Sequence, residues 1–145
     1  KRLRMEFFDI DQCIEKELEM KISKIFKDKG ENYFRTIEEK ITLQILKKRG
    51  IVVALGGGAF LNKNIRKEVI KNHFSIWLKV SSKILIKRLK NTKNRPLALN
   101  ATKEELVDLI KKRSNFYSRA LYKVICNNMS KTQIINKVIN IYENK

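Results

Sequence analysis

The sequence predicts a three-layer α/β domain, with helices on both faces of a parallel sheet. Short apolar runs rich in β-branched residues alternate with longer segments of helical periodicity along the chain. The run at residues 51–55 is apolar throughout, as expected for a parallel strand that is buried on both faces. The 145 residues are enough for a core of their own, and we expect a single domain over residues 1–145.

The predicted elements follow each other without a linker or an internal repeat. A strand over residues 6–10 precedes a helical segment over residues 13–29, in one or two pieces, which ends at Gly30. An amphipathic helix over residues 32–48 ends at Gly50. The later elements are a strand at 51–55, a helix near 64–71, a strand at 74–80, a helix from Ser81 or Ser82 to about residue 90, a strand at 123–126 and a last helix to about residue 142.

Two capping boxes mark helix starts in the second half of the chain. Thr102 is followed three residues later by Glu105, and Ser130 by Gln133, so each pair can satisfy the first backbone N–H groups of a helix. Residues 91–101 have turn composition and contain the single proline, Pro96. We expect a mobile loop there, extending to about residue 102.

Composition narrows the function classes. The net charge is +18, but lysines occur in every helical segment and no aromatic residues alternate with arginines. We therefore expect a positive electrostatic field that attracts anionic substrates, and no dedicated nucleic-acid site. Cys13 and Cys126 lack metal-ligand spacing and are interpreted as buried thiols of a cytosolic protein. His73 is the only histidine, which argues against a histidine-based triad or a zinc site. No apolar run approaches the ~20 residues of a membrane span.

Three consecutive glycines, Gly56, Gly57 and Gly58, follow the apolar strand. Without Cβ atoms, their backbone N–H groups can approach a ligand closely, at the strand end where open α/β sheets hold substrates. A flexible strand-to-helix turn is the alternative. The length of the glycine run favours a site.

Other candidate residues are carboxylates and arginines. Asp9 and Asp11 end the first strand, where one could serve a metal and one a substrate hydroxyl, or Asp11 could simply cap the next helix. Arg35 and Glu38 share a helix face, either as a surface ion pair or as an arginine fork fixed to grip a carboxylate. The remaining candidates are Arg88, Arg95 in the loop and Arg113 in a helix, each of which could instead be solvated.

Together these motifs strongly resemble the shikimate kinase family, in the order and at the intervals of that family up to about residue 120. The motifs are Phe8-Asp9-Ile10-Asp11, Ile14-Glu15, Ile25-Phe26, Gly30-Glu31, Phe34-Arg35, Glu38, Ala54-Leu55-Gly56-Gly57-Gly58-Ala59, Arg95-Pro96-Leu97 and Arg113 with Tyr117. The resemblance implies a P-loop kinase fold and transfer of the γ-phosphoryl group of ATP to the 3-hydroxyl of shikimate, with Mg²⁺.

The resemblance also implies roles in binding shikimate. Asp11 would hold the hydroxyls and help to deprotonate the attacking one. Arg35 and Arg113 would clamp the carboxylate, and Glu38 would orient Arg35. Gly57 and Gly58 would offer backbone N–H groups.

On the nucleotide side, the resemblance implies that Asp9 belongs to the magnesium shell, through water. Arg95 would close with its loop onto the phosphates and neutralise charge during transfer. Arg88 would lie near the nucleotide. A monomeric cytoplasmic enzyme of chorismate and aromatic amino-acid biosynthesis is implied.

The sequence departs from the family in one respect: the phosphate-binding pattern Gly-x-x-x-x-Gly-Lys-[Ser/Thr] does not occur in the 145 residues. We therefore expect an N-terminally truncated chain that begins before the family's second strand and does not turn over ATP at a useful rate as written. A fragment of a complete kinase, a shikimate- or carboxylate-binding remnant and a strand supplied by another chain are the competing explanations. A kinase for another polyol acid is a further alternative, against which the paired arginines and the glycine run argue.

Overall fold

The computed structural model describes residues 2–90 and 101–145, and for residues 89 and 90 it describes the backbone only. These residues form two compact units, Lys1–His73 and Phe74–Lys145. The loop expected at residues 91–101 lies outside the described residues except at its last position. A single domain over residues 1–145 stays a prediction.

The first unit contains one two-stranded parallel sheet and three α-helices. Its elements are β1 (Glu6–Asp9), α1 (Ile10–Leu18), α2 (Ile22–Leu46), β2 (Ile51–Ala54), a 3-10 turn (Ala59–Leu61) and α3 (Lys63–Asn72). Strands β1 and β2 pair in register from Glu6 opposite Ile51 to Asp9 opposite Ala54. The carboxyl ends of both strands therefore meet at one edge, which brings the residues after Asp9 and after Ala54 together.

Helices α1 and α2 form the core of this unit. Six side chains make one buried apolar cluster: Ile10, Ile14, Ile25, Phe34, Ile41 and Ile45. The Phe34 ring also packs on Phe26, with centroids 4.8 Å apart. Because each such side chain contributes about 1.5–3 kcal/mol when buried, this cluster fixes α2 relative to α1.

Glycines mark the breaks in the helical segments, as predicted. Gly30 has φ 81° and ψ 171°, so α2 is kinked there and resumes at once. Gly50, with φ 65°, precedes β2. The two-piece alternative for residues 13–29 is confirmed, since α1 ends before Glu19, whose φ is 50°, and α2 begins at Ile22.

The described residues of the second unit form another two-stranded parallel sheet and three α-helices. Its elements are β3 (Ile76–Lys79), α4 (Ser82–Lys90), α5 (Lys103–Tyr117), β4 (Tyr122–Ile125) and α6 (Lys131–Glu143), and β3 pairs with β4. Both predicted capping boxes are present, at the starts of α5 and α6. The Phe74 ring packs on Tyr122 and Tyr142, with centroids 5.0 and 5.5 Å away.

The predicted α/β class with parallel strands is confirmed, with corrections at particular residues. Ile10 begins α1 and does not extend the first strand. Cys126 is buried as expected, whereas Cys13 is half-buried. No helix among the described residues is long and apolar enough to cross a membrane.

Candidate active site

Arg35 is the centre of a cluster of charged side chains in the first unit. Its Nη1 donates to Oε2 of Glu38 at 2.7 Å, and the side chain of Glu38 is only 2% exposed. A buried carboxylate is stable only when a cation or hydrogen-bond donors compensate its charge. Glu38 therefore needs Arg35, and Arg35 is held in one orientation by Glu38.

Glu31 contacts the other edge of the same guanidinium. Its Oε1 accepts from Nε of Arg35 at 3.2 Å and from Nη2 at 3.1 Å. The side chain of Glu31 is 43% exposed. Glu31 is the first residue after the kink at Gly30 and lies one helical turn before Arg35, which brings the two side chains together.

The two carboxylates keep Arg35 charged. Burial of the guanidinium acts to lower the pKa of Arg35, but the hydrogen bonds and charges of Glu38 and Glu31 outweigh burial and raise this pKa above its ordinary value. Arg35 is therefore a permanent cation, able to bind an anion at any physiological pH.

Two of the three glycines lie against this cluster. A Cβ added at Gly58 would lie 2.7 Å from both Cζ and Nη2 of Arg35, and closer still to Nη1. A Cβ added at Gly56 would lie 2.7 Å from Oδ1 of Asp11 and 3.4 Å from Oε1 of Glu38. A Cβ at either position would therefore force the facing side chain to shift. The close approach of Gly56 to Asp11 could not be predicted from the sequence, because it depends on a contact with another strand end.

The two aspartates at the end of β1 and the start of α1 have different surroundings. Asp9 is the N-cap of α1, and its Oδ1 accepts from the backbone N–H of Gln12 at 3.3 Å. The alternative that Asp11 is the cap is therefore wrong, because the helix begins two residues earlier than that interpretation requires. Asp11 lies in the first turn of α1, where the helix dipole stabilises a carboxylate.

A network of side chains holds the segment after the glycines against α2. Oε2 of Glu39 accepts from Nδ2 of Asn62 at 2.7 Å, and Oε1 accepts from Nδ2 of Asn64 at 2.6 Å. These hydrogen bonds lower the pKa of Glu39. Asn62 also caps α3. The role of Glu39 was not evident from the sequence, because its partners lie 23 and 25 residues away.

The structure thus brings together Asp11, Arg35, Glu38, Gly56 and Gly58 at one edge of the β1–β2 sheet. Gly57 lies between two of these residues. Among the described residues, no group of three histidine, cysteine or acidic side chains forms a metal site. Asp9 and Asp11 nevertheless carry the carboxylate oxygens that Mg²⁺ prefers, and Mg²⁺ commonly keeps several waters.

The remaining predicted site residues belong to other parts of the chain. Arg113 lies on α5 and Arg88 on α4, both in the second unit. The Nε atom of Arg113 is buried and has no hydrogen-bond partner among the described residues. Arg95 lies outside the described residues.

A family model described as shikimate kinase matches residues 1–143. The chain belongs to the shikimate kinase family. A shikimate kinase of Bartonella quintana is 38% identical over 143 residues, which are 98% of this chain and 68% of that protein. The corresponding protein of Bartonella henselae is 38% identical, and the chain spans 66% of its length, slightly less than two thirds.

Solved structures agree with this family assignment. A shikimate kinase from Acinetobacter baumannii in complex with shikimate has a TM-score of 0.85 and 29% identity, and the match covers 97% of this chain and 80% of that one. The shikimate kinase from Aquifex aeolicus has a TM-score of 0.83 and 25% identity, with 99% of this chain and 84% of that one covered. The P-loop kinase fold implied by the sequence resemblance is confirmed by these structures.

Proposed function

We propose that the whole protein transfers the γ-phosphoryl group of ATP to the 3-hydroxyl of shikimate, and that the first unit of this chain holds shikimate. The observation that carries this proposal is the guanidinium of Arg35, fixed by the buried Glu38 and lying against Gly58. A fixed arginine fork is suited to the carboxylate of a small acid.

The first unit supplies groups for the rest of the substrate. Asp11 accepts hydrogen bonds from the hydroxyls of the ring and takes the proton of the 3-hydroxyl as its oxygen attacks phosphorus. The bond between the γ-phosphorus and the β–γ bridging oxygen breaks, and ADP leaves. Gly57 and Gly58 contribute backbone N–H groups to the substrate, in line with the absence of side chains there.

Residues beyond the first unit are assigned on the family pattern. Arg113 forms the second arm of the carboxylate clamp. Its buried Nε has no hydrogen-bond partner in the part of the chain that the structure describes, which supports this role because a carboxylate would accept a hydrogen bond from it. Arg95 compensates phosphate charge during transfer, and Arg88 binds near the nucleotide.

Asp9 is the residue proposed to hold Mg²⁺, through water. When bound, Mg²⁺ neutralises charge on the phosphates of ATP and orients them. Only one oxygen of Asp9 takes the cap hydrogen bond, which is long at 3.3 Å, so the carboxylate retains acceptor capacity for a hydrated cation.

We further propose a monomeric cytoplasmic enzyme of aromatic amino-acid biosynthesis. Cys13 and Cys126 are free thiols, which is the usual state of cysteines in a reducing compartment. The net charge of +18 favours encounter with two anionic substrates.

The test is an assay of the whole protein with ATP, Mg²⁺ and shikimate, in which ³¹P NMR identifies the phosphorylated hydroxyl. We expect shikimate-dependent ADP release, a product phosphorylated at the 3-hydroxyl and a loss of at least ~10²-fold in kcat for Asp11→Asn. Saturable binding of shikimate without ADP release would instead support the binding-only alternative. Phosphorylation of another polyol acid in preference to shikimate would contradict the substrate assignment.

A further inference from the structure

The guanidinium of Arg35 already has partners on both edges. Glu31 accepts from Nε and Nη2, and Glu38 accepts from Nη1. An arginine has five N–H donors, so three are in use. Because a single oxygen of Glu31 accepts from both Nε and Nη2, each nitrogen of this edge of the guanidinium already has a partner.

The outer end of the fork is also covered. The added-Cβ distances place the backbone of Gly58 directly against Cζ and both terminal nitrogens of Arg35. A carboxylate that approaches this end must therefore move the glycine segment or turn the guanidinium. At the edge formed by Nε and Nη2, by contrast, the partner is the exposed side chain of Glu31.

The two glutamates differ in how firmly they are held. Glu38 is 2% exposed and its contact with Arg35 is 2.7 Å long, whereas Glu31 is 43% exposed and its contacts are longer, at 3.1 and 3.2 Å. An exposed ion pair is a weak interaction, while a buried carboxylate cannot leave its partner cheaply. An incoming anion therefore displaces Glu31 more readily than Glu38.

We propose that Glu31 occupies the substrate-carboxylate position on Arg35 when no substrate is bound, and that it lowers the affinity of the site for anionic substrates. The inference rests on the proposed function, in which Arg35 binds the shikimate carboxylate. One cation between two carboxylates leaves a local net charge of −1, so each bound substrate must swing Glu31 away or accept repulsion from it.

Removal of the Glu31 charge tests this role. Glu31→Gln keeps the shape of the side chain, and Glu17→Gln, at an exposed position on α1, is the matched control for charge alone. Calorimetry on the whole protein measures Kd for shikimate and for its uncharged methyl ester. We expect Glu31→Gln to lower Kd for shikimate about two- to fivefold, as for removal of one exposed charge, and to leave Kd for the ester unchanged. Glu17→Gln should change neither the Kd for shikimate nor the Kd for the ester.

An unchanged or raised Kd for shikimate in Glu31→Gln would overturn the inference, and a raised value would make Glu31 a residue that positions Arg35. A gain of equal size for the ester would also contradict it. Arg35→Ala separates this outcome from failure of the proposed function. Loss of shikimate binding in Arg35→Ala, together with no gain in Glu31→Gln, overturns the role of Glu31 alone, whereas full binding by Arg35→Ala overturns the clamp itself.

Discussion

Glu38 and Arg35 lie one helical turn apart on α2 and form an ion pair of 2.7 Å between a carboxylate that is 2% exposed and a guanidinium that is 29% exposed. The carboxylate is inside the first unit and the cation is at its surface. The buried carboxylate therefore fixes the position of a guanidinium that can contact a ligand at the surface. We propose that the substrate carboxylate is the ligand, and the predictions below depend on this arrangement.

Substitution of Glu38 should cost both affinity and stability. Glu38→Gln keeps the volume but removes the charge opposite Arg35, so the guanidinium loses its fixed orientation. We expect KM for shikimate to rise by about tenfold or more and the free energy of unfolding to fall by about 1–3 kcal/mol, less than for a pair buried on both sides. Steady-state kinetics and urea unfolding measure these changes. Glu68→Gln, at a glutamate of α3 whose side chain is 37% exposed, is the control, and an equal effect there would contradict the prediction.

Gly58→Ala should impair binding of shikimate through contact with Arg35. The new Cβ would overlap the guanidinium and force it away. Gly50→Ala is the matched comparison, because a Cβ there meets nothing within 4 Å while φ is +65°. We expect Gly50→Ala to lower stability by about 1 kcal/mol and leave Kd for shikimate unchanged, whereas Gly58→Ala raises Kd by about tenfold or more. Equal Kd values for the two variants would contradict this account.

Glu39→Ala should loosen the segment after the glycines. The substitution removes two hydrogen bonds, to the side chains of Asn62 and Asn64, that tie this segment to α2. We expect faster hydrogen exchange at Gly56–Asn62 and a rise of a few-fold in KM for shikimate. Glu68→Ala, which removes the contacts of Glu68 with Asn72 and His73 at the end of α3, should change neither quantity. Unchanged hydrogen exchange in Glu39→Ala would contradict the proposal that Glu39 holds this segment against α2.

Acid should destabilise the first unit through Glu15 and Glu39. Hydrogen bonds from Lys21 and Ile22 lower the pKa of Glu15, and those from Asn64 and Asn62 lower the pKa of Glu39, below the ordinary glutamate value of 4.5. The unfolded chain therefore binds these protons first, so their stabilisation is complete above pH 4.5 and is lost as the pH falls through the lower folded values.

Urea unfolding between pH 7 and pH 3 tests this acid sensitivity. A double variant, Glu15→Gln with Glu39→Gln, should show a smaller decrease in the free energy of unfolding over the acid range than the wild type. An identical pH dependence in the two proteins would exclude these glutamates as its cause.

Local patterns in the sequence predicted most of the elements. The capping boxes at Thr102 and Ser130 depend on a few neighbouring residues, and they were predicted correctly. Gly30 was predicted to end a helix, whereas α2 is kinked there and continues. The ion pair of Arg35 with Glu38 was one of two interpretations of a three-residue spacing, and the structure shows both an ion pair and an oriented fork.

Other features depend on contacts that the spacing of residues along the chain cannot predict. Glu31 could have been predicted as a partner of Arg35 from its four-residue spacing. The contacts of Gly56 with Asp11, and of Glu39 with Asn62, join residues far apart in the chain. The first depends on β1 and β2 ending at the same edge, and the second on the packing of the segment after β2 against α2. Asp9 caps α1 because β1 ends at Asp9, one residue before the end of the strand that the sequence predicted.

The most direct test of the central claim is the affinity of the whole protein for shikimate, measured by calorimetry in the wild type, Arg35→Ala and Arg49→Ala. Arg49 is an exposed arginine in the turn before β2 and controls for loss of one positive charge. We expect saturable binding by the wild type, a Kd within about twofold of the wild-type value for Arg49→Ala, and a Kd raised at least ~10²-fold for Arg35→Ala, as for loss of a charged bidentate partner. Equal affinity of Arg35→Ala and the wild type would contradict this claim.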